Sequence, residues 1–131
     1  MKLDDLNLSY DSSRLRFVFA ALEFTTSPPN IWYGYSTDST GTAWVVSVIA
    51  VPSGFSSAGW DYPSIAVDAT GRIIIGGVSY VDSGCRAQPA PCPNGYYSVL
   101  STNGSSFSPP SLVALGSSPA SGAASRVVAA G

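Results

Sequence analysis

The chain contains no histidine. That removes His-based catalytic triads, imidazole proton shuttles and His metal ligands in one step. Charge is almost as scarce. Only 11% of the 131 residues are Asp, Glu, Lys or Arg, against about a quarter in an ordinary soluble domain. Glu23 is the only glutamate. The net charge is −2, with no basic run, which disfavours binding to nucleic acid or to an anionic membrane. No apolar run approaches the roughly 20 residues of a membrane helix, so no membrane insertion is expected. Met1-Lys2-Leu3-Asp4-Asp5 has no apolar signal core. With two cysteines and no histidine, a metal site is not expected, nor is any cofactor.

What is present is all-β chemistry. Gly (13), Pro (10) and many Ser and Thr residues separate short apolar runs. Leu6-Asn7-Leu8-Ser9-Tyr10 alternates as a strand does, and Asp11-Ser12-Ser13 is a turn. Arg14 to Phe24, Ile31 to Tyr35 and Trp44 to Val51 are predicted as three further strands. Pro28-Pro29 requires a loop between the second and third, because proline cannot donate to a ladder.

The pattern then restarts. Ser64 to Val67 repeats Asn7 to Tyr10, and Asp68 repeats Asp11 at an offset of 57. Arg72-Ile73-Ile74-Ile75 is matched to Arg14-Leu15-Arg16-Phe17 at an offset of 58, and Ser101-Thr102-Asn103 to Ser36-Thr37-Asp38 at 65. A longer loop, Val81 to Gly95, accounts for the growing offset. Two four-stranded units in tandem suggest propeller blades. The predicted organisation is a first blade over 1–52, a second over 53–116, and a linker with the start of a possible third over 117–131. Two blades leave faces bare, so further blades of the same protein, or identical chains, are expected to close the ring. A chain that is part of a longer protein is the favoured reading.

Ser36-Thr37-Asp38-Ser39-Thr40-Gly41-Thr42-Ala43-Trp44 resembles an Asp-box, the hairpin turn of sialidase-like (BNR repeat) propellers, with one residue inserted before Trp44. Ser101-Thr102-Asn103-Gly104-Ser105-Ser106-Phe107 is a second, more degenerate copy with Asn for Asp. Asp61-Tyr62-Pro63, followed by Ser64 to Val67 and the Asp68 to Gly71 turn, is similar to the blade-opening segment of exo-sialidase-type repeat proteins. The resemblance implies two four-stranded antiparallel blades with the ring incomplete in this chain. It gives Ser36, Asp38, Gly41, Trp44, Ser101, Asn103 and Phe107 structural roles. It implies a fold more firmly than a chemistry, since one fold hosts many functions.

In such propellers the ligand face is formed by the loops opposite the Asp-box turns. Trp60, Asp61, Tyr62, Asp82 and Arg86 fall on that side and suit a carbohydrate: ring stacking on Trp60 or Tyr62, hydroxyl or carboxylate contacts from Asp61 and Arg86. Trp60 and Tyr62 packed between blades, with Asp61 capping a turn, is the competing account of the same residues. Glu23 is the one candidate general acid or base, but a single acid is no constellation. Sialidases use a tyrosine nucleophile and an arginine cluster for the substrate carboxylate. Arg14, Arg16, Arg72 and Arg126 form no recognisable version of that cluster.

Cys85 and Cys92 share one Pro-rich loop with six residues between them, close enough in sequence for a disulfide. Such a bridge contributes about 2–3 kcal/mol in the chain-entropy model and places the protein outside the cell or on its surface. Asn7-Leu8-Ser9 and Asn103-Gly104-Ser105 fit glycosylation sequons. Three functions follow as expectations: part of a secreted propeller that binds or hydrolyses glycans, a non-catalytic repeat or adhesion scaffold, or a small lectin whose chains assemble into a ring.

Overall fold

The computed structural model describes residues 3–23, 25, 30–49, 59–80, 95–109 and 111–115, with no helix among them. Eight strands form two four-stranded sheets: β1 Leu3–Asp11, β2 Arg16–Glu23, β3 Asn30–Ser36 and β4 Trp44–Ile49, then β5 Gly59–Val67, β6 Ile73–Tyr80, β7 Gly95–Ser101 and β8 Ser111–Leu115. Each sheet is an antiparallel meander in chain order, β1-β2-β3-β4 and β5-β6-β7-β8.

The residues explain the strands. β2, Arg-Phe-Val-Phe-Ala-Ala-Leu-Glu, and β6, Ile-Ile-Ile-Gly-Gly-Val-Ser-Tyr, carry the β-branched and aromatic side chains that pack on a pleated surface. Both are central strands, paired on each side. Turns with Asp11, Asp38, Asp68 and Asn103 gather at one end of the two sheets, and Glu23 lies at the other end of β2.

The two sheets pack face to face. Val18, Ala20, Ile31, Tyr33 and Ile49 of the first meet Ile65, Ile73, Ile75 and Val99 of the second, with Tyr35, Val67 and Phe107 packed against them. These positions alternate along each strand, as one buried face requires. Fully burying one such aliphatic or aromatic side chain is worth about 1.5–3 kcal/mol, and this cluster is the shared core. The Phe107 ring meets Tyr33 edge-on at 4.8 Å between centroids, across the sheets.

The repeat extends to the irregularities. β1 is bulged between Asp4 and Asn7, and β5 between Asp61 and Ser64. Asp5 has φ 48° and Tyr62 φ 49° at these matching points. A bulge with a left-handed residue bends the first strand of each unit in the same way.

One match differs from expectation. Arg16 pairs with Asp11 across the first turn, while the Asp68 amide donates to the Arg72 carbonyl across the second (3.0 Å). Arg72 therefore corresponds to Arg16, not to Arg14. The first turn holds one more residue, and Leu15 (φ 51°) adopts the left-handed conformation that Gly71 (φ 78°) adopts in the second.

Candidate functional site

The turn end of the molecule is the richest in directed polar contacts. Asp38 sits in the β3–β4 turn. Its Oδ1 accepts from the amides of Thr40 and Thr42, both at 3.1 Å, and from Thr40 Oγ1. Its Oδ2 accepts from Thr42 Oγ1. The hydrogen bonds, that of the Thr42 hydroxyl first, hold the carboxyl down at about 2. Ser36 Oγ receives the Phe17 amide at 2.9 Å and donates to the Asp38 carbonyl at 2.6 Å, which binds the turn to β2. The Trp44 indole donates to the Gly41 carbonyl at 2.9 Å, and its ring lies 5.3 Å from that of Phe19.

Asn103 does the same work in the second sheet without charge. Its Oδ1 accepts from the amides of Ser105 (3.0 Å) and Ser106 (2.9 Å), and its amide nitrogen donates to Ser106 Oγ. Ser101 Oγ receives the Gly104 amide at 2.9 Å. In the β5–β6 turn, Asp68 accepts from the amides of Thr70 and Arg72, each at 2.9 Å, and from Arg72 Nε at 2.5 Å. The Thr70 hydroxyl, the two amides and the Arg72 guanidinium hold this carboxyl well below the usual range.

Beneath these turns lies a cluster that joins the sheets. The Asp11 side chain is fully buried. It accepts from Ser13 Oγ at 2.6 Å and from Arg14 Nη1 at 2.7 Å, and Arg16 Nε lies 3.5 Å from the same Oδ2. Burial pushes this carboxyl up, but the hydrogen bonds of Ser13 and Arg14 and the Arg14 charge outweigh it, so the net shift is downward. Both guanidiniums then cross to the second sheet. Arg14 donates to the Gly71 carbonyl (2.7 Å) and the Thr102 carbonyl (2.9 Å), and Arg16 to the Gly104 carbonyl (2.6 Å). Arg16 also stacks on Tyr35, 4.1 Å from the ring centroid. Buried Tyr33 donates its hydroxyl to the same Gly104 carbonyl at 2.8 Å, and burial pushes that phenol up to about 12.

Gly104 is required at this crossing. Its φ is 73°, and a Cβ there would collide with the Arg16 guanidinium and lie 3.1 Å from that of Arg14. Midway along the first strand of each unit, Asn7 Nδ2 donates to the Pro63 carbonyl at 2.8 Å, a further tie between the units.

Glu23 lies away from the turns. Its two carboxylate oxygens accept from Thr25 Oγ1 and from the Trp32 indole, both at 2.6 Å. These two bonds hold the carboxyl below its ordinary value. It is a fixed carboxylate, not a group poised to give up a proton near neutrality. Tyr62 is on β5, 41% exposed, in the strand bulge rather than in a loop. Trp60 and Asp61 also lie on β5, opposite Ser79 and Val78, where a loop was expected. Pairing with β6 extends the strand into that segment. Their side chains, and all of Asp82, Arg86, Cys85 and Cys92, lie outside the described residues. Glu23 stands on the first sheet and Tyr62 on the second. No group of three or more His, Cys, Asp or Glu residues converges among the described residues.

Sequence reasoning missed Asp11, Arg14, Arg16 and Tyr33. Two arginines astride one leucine at the head of an apolar strand, in a chain with six cations, were the available signal. Compared with known proteins, the chain matches no family model and no curated protein.

Proposed function

We propose that the chain is a pair of consecutive blades of a sialidase-like β-propeller and serves as a non-catalytic repeat module of a secreted or surface protein. One observation carries the reading: Asp11, Asp38, Asp68 and Glu23 are each committed to structural hydrogen bonds in the ionised form. None of the four is available as a general acid at neutral pH, and general acid–base catalysis needs a group that titrates near the working pH. At the turn end Asp38, Asp68 and Asn103 hold their own turns, and Arg14, Arg16 and Tyr33 hold one unit to the next. The Asp-box resemblance of the Asp38 and Asn103 turns agrees with this, since that motif is structural.

Glycan binding is the second reading. Its support is the Glu23–Trp32 pair at the end away from the turns, an indole held by a carboxylate on the side where ligand loops are expected. The experiment is hydrolysis of a fluorogenic sialoside by the purified chain, with titration calorimetry against sialylated and neutral oligosaccharides. No turnover is expected; sustained turnover refutes the module reading. Saturable binding that is lost in Trp60→Ala or Tyr62→Ala supports the second reading.

A further inference from the structure

We propose that Asn103 is a latent deamidation site, shielded by the contacts that join the two units and converted irreversibly when its turn opens. This goes beyond the module reading and does not depend on it. It rests on the chemistry of one dipeptide and on what holds that dipeptide in place.

The sequence has two Asn-Gly pairs, Asn94-Gly95 and Asn103-Gly104. An asparagine followed by glycine can close on itself, because glycine has no Cβ to hinder the approach. At the second pair, the Gly104 nitrogen gives up its proton and bonds to Asn103 Cγ. The Cγ–Nδ2 bond breaks, and ammonia leaves with that proton. Water then opens the cyclic imide at either carbonyl. One opening gives aspartate. The other gives isoaspartate, in which the main chain runs through the former side chain. Water is the only co-reactant, and nothing is oxidised or reduced.

The fold opposes this closure at each atom involved. Asn103 is exposed, but Gly104 is buried. The Gly104 N–H, the attacking group, donates to Ser101 Oγ at 2.9 Å. Asn103 Oδ1 is held by the Ser105 and Ser106 amides, and the leaving nitrogen Nδ2 donates to Ser106 Oγ at 2.7 Å. The peptide groups on both sides are anchored from the first sheet. Arg14 holds the Thr102 carbonyl, and Arg16 and Tyr33 hold the Gly104 carbonyl. The imide therefore forms only after local opening. Isoaspartate adds a backbone carbon just before Gly104, so the Gly104 carbonyl no longer lies where Arg16 and Tyr33 reach it. Aspartate keeps the original backbone, and Asp38 already holds the matching turn of the first unit with a charged side chain. One product is tolerated; the other leaves the two units unable to lock again.

Peptide mapping by mass spectrometry, during incubation of the chain in mildly alkaline buffer with and without urea, tests this. In urea both Asn-Gly pairs should convert at similar rates, since sequence neighbours alone then set them. Without urea, conversion at Asn103 should be at least about tenfold slower than in urea; equal rates overturn the shield. Tyr33→Phe and Ser101→Ala each remove one bond from Gly104 and should raise the native rate about fivefold. Gly34→Ala, whose added Cβ meets Phe19 on the first sheet, calibrates the share that passes through global unfolding. For the same loss of stability, Ser101→Ala or Tyr33→Phe should accelerate conversion more than Gly34→Ala does; equal acceleration overturns the local gate. Circular dichroism identifies any variant that fails to fold, and the comparison of the parent chain with and without urea needs no variant. Chromatography then separates the aged products. The isoaspartate fraction should unfold at lower urea than the parent, while Asn103→Asp stays near it. An isoaspartate fraction as stable as the parent overturns the irreversible step. Sialoside turnover, which tests the module reading, is a separate measurement that none of these outcomes moves.

Discussion

Replacing Asp11 by Asn tests whether the buried cluster holds the two sheets together. The substitution keeps the shape and one acceptor oxygen but removes the charge that faces Arg14 at 2.7 Å and Arg16 at 3.5 Å. A hydrogen bond to a charged group is worth about 1.5–3 kcal/mol. Breaking a buried ion pair by removing one partner costs about 3–5 kcal/mol. Arg14 retains the Gly71 and Thr102 carbonyls and Arg16 retains Gly104, so the loss belongs at the low end, about 3 kcal/mol. At a few degrees per kcal/mol for a chain of this length, Tm should fall by about 10 °C. Thermal and urea unfolding, followed by tryptophan fluorescence and circular dichroism, read this directly. Asp38→Asn, in an exposed turn, should cost clearly less. A double-mutant cycle with Arg16→Met should recover part of the Asp11→Asn loss, because the second change removes the orphaned cation. Asp11→Asn within about 1 kcal/mol of the parent chain would refute the cluster as the tie between sheets.

Four further outcomes follow from the same geometry. The Asp11, Asp38, Asp68 and Glu23 carboxyls are all held below their ordinary values. Their stabilisation is thus complete above the unfolded carboxyl range near pH 4 and is lost as pH falls further; urea midpoints should be flat from pH 8 to 5 and drop below 4, and a drop centred near pH 6 would contradict this. Tyr33, pushed up to about 12, contributes stability that is intact below the ordinary phenol value near 10 and is lost as pH rises from there towards 12; Tyr33→Phe should flatten that alkaline limb in a urea series. Gly34→Ala should destabilise by about 1–3 kcal/mol, because a Cβ there meets the Phe19 ring, with Cζ at 2.6 Å, and Phe19→Leu should recover part of that in chemical denaturation. Alkylation without reductant, read by mass spectrometry, should leave Cys85 and Cys92 unmodified; two labelled thiols would remove the disulfide.

Local chemistry was the legible part of this sequence. Asp38, Asn103, Gly41 and Gly71 announce their turns because the side chain bonds amides two to four residues away, or because only glycine accepts the backbone angle cheaply. The strand order and the duplication were legible for the same reason: alternation and spacing are properties of neighbours in sequence. The Arg14 and Arg16 contacts join residues 57 and 88 positions apart, and no local pattern encodes them. The slip that matched Arg72 with Arg14 has a physical cause too. Leu15 takes the left-handed backbone position that Gly71 fills in the second unit, and leucine gives no sign of that. Extension of β5 through Trp60 and Tyr62 was likewise hidden, since Pro63 reads as a break but sits at a bulge that tolerates it.

The paired bulges bear on how the chain avoids aggregation. Ile73-Ile74-Ile75-Gly76-Gly77-Val78 is uncharged, free of proline and strongly β-prone, the composition of a segment that stacks into fibrils once exposed. Two glycines within it give a smooth stretch on which a partner strand could slide by one residue and invert its faces. The bulge between Asp61 and Ser64 lies opposite this run and can be matched in one register only. With β5 locked on one side and β7 on the other, the segment has no open edge in the folded chain. Its hazard is confined to moments when β5 or β7 detaches. The useful lifetime of the protein is then governed by how fast a flanking strand opens, more than by its equilibrium stability.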